Sequence, residues 1–322
     1  QEQQYPGQRP AAVVIDNASG SSSLWGIGCA SVVREAAARA DTAPSLCLVY
    51  PSVSAIPTVG PVTLGQDLFW RLLSGQQVLP IQRGCDLYTR NFLDYWNLRA
   101  VDALETGRNA FTTGNTDWAS PLWCTNGQIC GQGAEQPEPL VRAVRGPCGI
   151  RRQHAGRGHP AVPTVPALLP QQTDGHLPDA DVADAVQAAV QFPSGSTTRF
   201  AYDTDTGTYG MLHNDGTPQL DANTGTQAAF DNLLVLYSAS TPRDDGRTLD
   251  YDLTMGGGLW LNGGHLWHIT WTQGTGSTFA FYDADGRPLR ILSGRSYIAW
   301  LSSLTGEEVT VQDSAGSDLL QP

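Results

Sequence analysis

The chain has 322 residues, and all 19 basic side chains are arginine, so the 31 acidic residues leave a net charge of −12. An acidic chain without a broad basic face cannot neutralise phosphates, which excludes a typical nucleic-acid binder. The absence of lysine excludes Schiff-base chemistry and the lysine-dependent phosphate loop. Hydrophobic residues make up 40% of the chain, which is enough for a folded core and excludes wholesale disorder.

The first residues of the chain indicate its cellular compartment. Residues 1–8 are polar and glutamine-rich, and no initiator methionine precedes them. No apolar run approaches the roughly 18 residues that a membrane span needs. We therefore expect an exported protein whose export segment has been removed.

The first part of the chain mixes strand and helix patterns. Short apolar runs predict buried strands, whereas alanine-rich or helically spaced apolar residues predict helices. Alternation of the two favours an α/β-type domain, which we place at residues 9–134. In chain order the predicted elements are strand 12–15, helix Ala30–Ala40, strand 46–50, helix 67–73 and helix Tyr88–Ala103.

Residues 135–180 differ in composition from the rest. Eight of the 21 prolines lie here, and residues 141–160 carry five arginines and two histidines without an acid. This composition predicts a linker or an insertion. Two alternatives are an anion or envelope-surface contact through the arginines and, for residues 148–170, a shifted reading frame.

The second part of the chain predicts antiparallel strands joined by tight turns, after a short helical stretch at Asp184–Ala189. Asn-Gly and Asp-Gly pairs between alternating runs are strong hairpin signals. We place a β-rich domain at residues 181–305 and a tail at 306–322, which makes the whole chain α+β. The predicted strands are Thr198–Asp203, Thr208–His213, Asn232–Tyr237, Thr248–Thr254, His265–Trp271, Thr278–Tyr282, Leu289–Leu292 and Ser296–Leu301.

The cysteines offer one candidate pair. None of the six forms C-x-x-C, so neither a thioredoxin motif nor a zinc ribbon is supported. Cys124 and Cys130 flank a short turn-like spacer and are a candidate disulfide in an exported chain. The alternative is that both are free thiols.

Aspartate-rich turns are weak candidates for calcium ligands. Oxygen ligands at alternate positions before glycine suit Ca²⁺, but aspartate also forms such turns without a metal. The candidates are Asp203, Asp205, Asp283 and Asp285. His265 and His268 cannot chelate from a flat strand, where they point to opposite faces, and we predict no resident metal or cofactor.

A tryptophan stripe in the second half has two interpretations. Trp260, Trp267 and Trp271 could stack on sugar rings, or they could belong to the core.

A possible catalytic pair lies near the start of the chain. Asp16 and Asn17 follow a buried strand, where ligands gather in α/β sheets. Glu35, on the following predicted helix, could approach Asp16, and two carboxyl groups can serve as acid and base. The alternative is a helix cap and a surface glutamate.

Several segments, taken in order and spacing, resemble one family. They are Arg9–Asn17, Ala30–Glu35, Val59–Val62, Arg199–Asp203, Leu220–Gly225, Asp231–Val235, Gly256–Gly258 and Phe281–Gly286. These residues make the chain similar to the YerB-like lipoproteins, a bacterial family of unestablished function. The resemblance implies a two-domain fold, export, and a lipid anchor on a cysteine upstream of residue 1.

The chain departs from the family pattern at polar positions. The family continues Arg-Ser-x-Arg after Val62, where this chain has Thr63–Gln66, and its Pro-His-Asn appears as Pro121–Trp123. An arginine near Gly210 and a histidine near Gln219 are also absent. If these residues form a site in relatives, what remains here is Asp16, Asn17, Glu35, Asp221 and Asn232, of which Asn17, Asp221 and Asn232 are ligand-binding candidates.

The preferred hypothesis is a non-catalytic protein of the cell envelope, outside the cytoplasm. It would bind an envelope protein or a cell-wall polymer, would not bind nucleic acid, and would touch the membrane only through its anchor. One alternative is an envelope-polymer hydrolase that uses the Asp16 and Glu35 carboxylates. The other is a calcium-stabilised carbohydrate-binding module.

Overall fold

A computed structural model describes residues 9–17, 24–106, 111–113, 122–125, 171–172, 179–274 and 279–320. In these ranges the chain is rich in strands, and its three α-helices are short. They are α1 (Asp67–Leu73), α2 (Leu87–Tyr95) and α3 (Ala103–Thr106), and 3₁₀ turns lie at Ile27–Cys29, Val53–Ala55 and Ser74–Gln76.

The strands are numbered in chain order. They are β1 (Ala11–Asp16), β2 (Val32–Ala36), β3 (Ser45–Tyr50), β4 (Val59–Val62), β5 (Leu79–Gln82), β6 (Val101–Asp102), β7 (Thr112–Thr113), β8 (Leu122–Cys124), β9 (Gln171–Gln172), β10 (Val182–Ala183), β11 (Gln187–Gln191), β12 (Thr197–Asp203), β13 (Thr208–Leu212), β14 (Ala229–Phe230), β15 (Asn232–Ser238), β16 (Ser240–Pro242), β17 (Leu249–Tyr251), β18 (Met255–Asn262), β19 (His265–Gln273), β20 (Phe279–Tyr282), β21 (Pro288–Leu289), β22 (Ile291–Leu292), β23 (Ser296–Ser302) and β24 (Glu308–Gln312).

One 15-stranded sheet runs through both parts of the chain. Its main path is β21-β20-β19-β18-β15-β23-β2-β3-β1-β4-β8-β7. The two parts join where β2 pairs in parallel with β23, so that Val33 lies opposite Tyr297 and Glu35 opposite Ala299. The amino-terminal and carboxy-terminal parts therefore share one hydrogen-bonded sheet.

A second sheet covers one face of the large one. Its order is β14-β13-β12-β11-β24. Between the two sheets lies a core that includes Val13, Val33 and Leu48 from the large sheet and Phe200 and Met211 from the small one. The opposite face of the large sheet packs against α1 and β17. The molecule thus has three layers, with the large sheet in the middle.

The sequence overestimated the helical content. The predicted α+β class is correct only in part, because the fold is strand-rich and its few helices are short. Ala30–Ala40 contains strand β2 rather than a helix, and Asp184–Ala189 leads into strand β11. The helix predicted at Tyr88–Ala103 ends at Tyr95. In each case pairing with neighbouring strands or chain reversal overrides the local propensity.

Other expected elements are confirmed. The strands at residues 12–15 and 46–50, the helix at 67–73 and most strands of the second half are present. The Asp-Gly turns form as expected, since Gly216 and Gly286 adopt φ values of 83° and 76°, which favour glycine.

The tryptophan stripe belongs to the core. Trp260, Trp267 and Trp271 are at most 2% exposed, while His268 on the other side of β19 is exposed. The Trp271 indole donates to the carbonyls of Tyr237 and Gly257, at 3.2 and 3.1 Å. It lies across the glycine-rich start of β18, so the stripe has no face open to a sugar.

We expect Gly256→Ala to destabilise the protein, because the added Cβ would lie 1.9 Å from the Tyr237 carbonyl oxygen and 2.8 Å from the Trp271 ring. Overpacking of this kind costs about 1–3 kcal/mol. Gly257→Ala is the matched control, since its Cβ would meet no atom within 4 Å. Denaturant unfolding of both variants tests this, and equal losses would contradict it.

Candidate functional site

Strand β2 carries two adjacent charged residues at the centre of the large sheet. Arg34 and Glu35 are 1% and 0% exposed. Because neighbouring side chains of a strand point to opposite faces, Glu35 enters the core between the two sheets, whereas Arg34 enters the core on the helix side. A buried charge is costly unless it is neutralised or well bonded, so both positions need a physical account.

Glu35 lies in a cluster of hydrogen-bond donors from three other elements. Its Oε1 accepts from Asn17 Nδ2 at 2.6 Å and from Thr198 Oγ1 at 3.0 Å. Its Oε2 accepts from the Tyr297 hydroxyl. Burial raises the pKa of Glu35, and the three hydrogen bonds offset only part of that effect. The carboxyl therefore takes up a proton more readily than an exposed glutamate does.

Contrary to the prediction from the sequence, the strand register does not bring the Asp16 side chain to Glu35. Ile15 lies opposite Leu46, which lies opposite Glu35, so these three side chains share a face. Asp16 is the next residue along β1 and therefore lies on the other face. The structure brings Asn17, rather than Asp16, to Glu35, and the expected two-carboxylate pocket is not assembled.

Arg34 is held by an aromatic ring. Its guanidinium carbon lies 5.8 Å from the centre of the Phe279 ring. Nη1 and Nη2 have no hydrogen-bond partner within the described part of the chain. Burial lowers the pKa of Arg34 to about 10, so the guanidinium is still charged at neutral pH. We infer a cation–π contact in a dry environment.

Asp221 joins the second half of the chain to the first. Its side chain is fully buried and accepts from the backbone N–H groups of Gly28 at 2.6 Å, Asn223 at 2.8 Å and Gly26 at 3.2 Å. The Leu24 carbonyl oxygen also accepts a hydrogen bond from the Ala222 N–H. These bonds place Asp221 in a structural contact between the two parts of the chain.

Asn232 also has its polar atoms occupied by the protein. Its Oδ1 accepts from Trp260 Nε1 and Asn262 Nδ2, both at 3.1 Å. Its Nδ2 donates to the Leu292 carbonyl at 2.9 Å. Ligand binding at Asn232 or Asp221 stays a prediction, and any ligand would have to displace these bonds.

The candidate calcium ligands form backbone turns. Asp203 accepts from the Asp205 N–H at 2.9 Å, and Asp283 accepts from the N–H groups of Asp285 and Arg287 at 3.0 and 2.8 Å. Arg287 also forms an ion pair with Asp285 at 2.9 Å. Among the residues that the structure describes, no three acids, histidines or cysteines cluster as metal ligands do.

Only one cysteine of the candidate disulfide lies within the described residues. Cys124 is a buried free thiol, and burial raises its pKa to about 12. Cys130, its predicted partner, lies outside the described residues, as do residues 148–170.

An open cleft lies between α2 and the segment that leads into α3. Its volume is about 230 Å³. It is lined by Gln82, Cys85, Arg90, Leu93, Asp94, Leu98, Arg99, Ala100, Asp102 and Glu105. Asp102 Oδ1 accepts from the Gly84 and Leu104 N–H groups, and its Oδ2 accepts from Gln82 Nε2. The floor of the cleft is thus a rigid, internally bonded surface.

Large apolar side chains are exposed on α2, on α3 and on the segments next to them, beside the residues that line the cleft. Of the eight such side chains in the described residues, five lie between residues 64 and 104. We call them, together with the cleft, the α2–α3 face; they are Leu64 (57%), Leu87 (67%), Tyr95 (80%), Trp96 (60%) and Leu104 (63%). Single exposed apolar residues are ordinary, whereas a contiguous apolar patch marks an interaction surface.

Comparison with known proteins identifies the family. One family profile, described as the N-terminal domain of a protein of unknown function (DUF3048), matches residues 1–129. The profile of the C-terminal domain of the same family matches residues 188–298. The chain belongs to this family. The domain boundaries drawn from the sequence remain predictions, since the large sheet crosses both matched regions.

Individual proteins are also similar to this chain. "Putative lipoprotein YerB" of Bacillus subtilis (strain 168) is 22% identical over 313 residues, covering 96% of this chain and 86% of that protein. A crystal structure of the YerB protein from Bacillus subtilis gives a TM-score of 0.73 at 18% identity and covers 96% of each chain. The resemblance to the YerB-like family is thereby confirmed, and the fold is shared.

Sequence reasoning missed half of the Glu35 cluster. Thr198 and Tyr297 come from distant strands, and nothing local connects them to residue 35. A signal was present in the Arg34-Glu35 pair, which interrupts a run of small apolar residues. In a buried strand such an interruption indicates a bonded polar cluster.

We expect Glu35→Gln to change the pH dependence of stability. A carboxyl with a raised pKa binds more protons in the folded chain than in the unfolded chain, so its contribution falls as pH rises above the ordinary value of 4.5. Glutamine lacks this titration. Urea unfolding from pH 4 to 8 should therefore show the wild type losing stability relative to the variant, and parallel curves would contradict this. The slope is the test, since a constant offset reflects changed hydrogen bonds.

We expect Asp221→Ala to destabilise the fold, because it leaves the Gly26 and Gly28 N–H groups without their acceptor. Each unsatisfied buried donor costs about 1–3 kcal/mol. Asp203→Ala is the matched control, since its carboxylate also accepts from a backbone N–H but is exposed to water. Chemical unfolding should show a much larger loss for Asp221→Ala, and similar losses would refute its joining role.

Proposed function

We propose that this chain is an exported, membrane-anchored protein of the cell envelope that binds a partner protein on its α2–α3 face and performs no chemistry there. The observation that carries the proposal is that five of the eight exposed large apolar side chains of the described residues belong to α2, α3 and neighbouring segments, next to an open cleft. Tryptophan, tyrosine and arginine contribute most to the energy of protein interfaces, and this face presents Trp96, Tyr95 and Arg90.

The geometry of the aromatic pair favours a protein over a sugar polymer. Tyr95 and Trp96 have ring centres 5.3 Å apart and planes inclined by 81°. Sugar rings stack best on open aromatic planes, which a perpendicular pair does not offer side by side. The exposed Leu87, at the other end of α2, instead suits the apolar side chains of a protein partner.

The polar groups of the cleft support a binding role. The Asp102 carboxylate is occupied by backbone and side-chain donors. Burial raises the pKa of the Cys85 thiol, so that the thiol stays protonated at neutral pH and is a poor nucleophile. Arg90 and Glu105, which are more than half exposed, approach to only 3.9 Å. Charges on a partner could replace this exposed ion pair.

The envelope location is supported by the relative. The Bacillus protein is described as a putative lipoprotein, and it aligns with almost the whole chain. We propose the same anchoring here, through a lipid on a cysteine upstream of residue 1. None of the helices among the described residues has the length and apolar character needed to cross a bilayer.

The alternative functions have less support. The hydrolase hypothesis needs Asp16 and Glu35 in one pocket, and the register places them on opposite faces. The calcium-stabilised carbohydrate module needs open aspartates and an open tryptophan face. Asp203 and Asp283 accept backbone N–H groups, and the tryptophan stripe is buried.

The proposal is tested by site-specific photo-cross-linking of the full chain in its native envelope. A photoreactive phenylalanine replaces Leu87 or Trp96 on the α2–α3 face, and Met255 or Leu304 as exposed apolar controls. We expect both face positions to capture the same protein, excess unlabelled chain to compete with it, and the controls to capture none of it.

The captured partner then allows a quantitative check. Because interface hot spots contribute about 2 kcal/mol or more, Tyr95→Ala combined with Trp96→Ala should weaken binding of the purified partner at least about tenfold. Met255→Ala combined with Leu304→Ala should leave binding unchanged. Capture of glycan alone, or equal capture from all four positions, would refute the proposed face.

A further inference from the structure

One carboxyl oxygen of Glu35 accepts hydrogen bonds from two side chains that could react with each other, one a nucleophile and the other an electrophile. The Thr198 hydroxyl and the Asn17 carboxamide nitrogen both donate to its Oε1, at 3.0 and 2.6 Å. A hydroxyl can attack a carboxamide carbon when a neighbouring group removes its proton and delivers a proton to the departing nitrogen. One carboxyl oxygen that contacts both groups is placed to do both.

Most of this cluster is shielded from water, and Asn17 lies at its partly exposed edge. Glu35 and Thr198 are 0% and 5% exposed. The Tyr297 ring packs against Phe200 and Phe230, with ring centres 4.6 and 5.7 Å apart. A dry aromatic setting around the carboxylate strengthens its proton affinity. The raised pKa of Glu35 agrees with this setting.

We propose that Thr198 and Asn17 become joined by a side-chain ester, formed by the folded chain itself with Glu35 as its catalytic residue. This function is separate from partner binding on the α2–α3 face, and nothing in it depends on that face. The polar cluster would then have a function that neither partner binding nor core packing explains.

The step balances without a co-reactant. Ionised Glu35 takes the hydroxyl proton as Thr198 Oγ1 bonds to Asn17 Cγ, which gives a tetrahedral intermediate. Glu35 then gives that proton to Nδ2, the C–N bond breaks, and ammonia leaves. The product is an ester between the two side chains, Glu35 returns to its initial state, and the protein has lost one nitrogen and three hydrogens. The Tyr297 hydroxyl, bonded to Oε2, orients the carboxyl throughout.

The bond would connect the two sheets covalently. Asn17 follows β1 of the large sheet, and Thr198 lies in β12 of the small sheet. A cross-link between distant positions restricts the unfolded chain and so stabilises the fold. It would also resist pulling forces that separate the two sheets, which suits a protein tethered to a membrane.

Intact-mass spectrometry of the denatured, reduced full chain tests the proposal. We expect a mass lower than that of the sequence by one ammonia. Trypsin cuts after Arg34, Arg157 and Arg199, so the ester should appear as residues 1–34 joined to residues 158–199. Hydroxylamine should separate the two peptides. A chain with the full sequence mass would overturn the proposal.

Variants distinguish the ester from a cyclic imide at Asn17, which also loses ammonia. Thr198→Val removes the nucleophile at nearly constant shape and should restore the full mass, whereas Thr198→Ser keeps a hydroxyl and should retain the linkage. Ammonia loss that persists in Thr198→Val and is localised to Asn17 by fragmentation of the unlinked peptide would show an imide and refute the ester. Glu35→Gln should also restore the full mass, and linked peptides in that variant would refute the role of Glu35.

Discussion

The parallel pairing of β2 with β23 is the contact on which the rest of the structure depends. Five residue pairs, from Val32 and Ser296 to Ala36 and Trp300, join the first part of the chain to the last in one sheet. Both faces of β2 are covered, so all five of its residues are buried. The pairing also fixes the polar chemistry of the core, because it sets Glu35 and Tyr297 on the same face, where the small sheet brings Thr198.

Three polar residues singled out by the sequence form hydrogen bonds between separate parts of the chain. Asn17 and Glu35 meet Thr198 and Tyr297, and Asp221 meets Gly26 and Gly28. Two of the departures from the pattern are filled by packing. A Cβ at Gly210 would lie 2.7 Å from Gln227, and Gln219 is buried with its amide bonded to the Leu220 carbonyl. These residues hold parts of the chain together, whereas most of the exposed large apolar side chains of the described residues lie elsewhere, on the α2–α3 face.

Local patterns predicted the strands and turns of the second half well, because alternating runs and Asp-Gly turns are determined within a few residues. They were wrong at Ala30–Ala40, where alanine, arginine and glutamate favour a helix but pairing on both sides imposes a strand. The candidate site was foreseen only in part: Asn17 and Glu35 were named, but their partners come from strands that the sequence does not place. The α2–α3 face was not foreseen: helical spacing groups Trp96 and Leu104 with Leu93 as a buried face, but both are exposed because α2 ends at Tyr95.

The shared sheet also sets the order in which the chain can fold as it is synthesised. Strand β2 lies near the beginning of the sequence, but its neighbour on one side, β23, lies near the end. Such non-local pairing delays folding, because a long chain must be closed before the contact stabilises anything. The first third of the molecule therefore stays incomplete at its centre until residues 296–302 have emerged. Until that last long strand arrives, one edge of β2 stays unpaired and has to be shielded from aggregation.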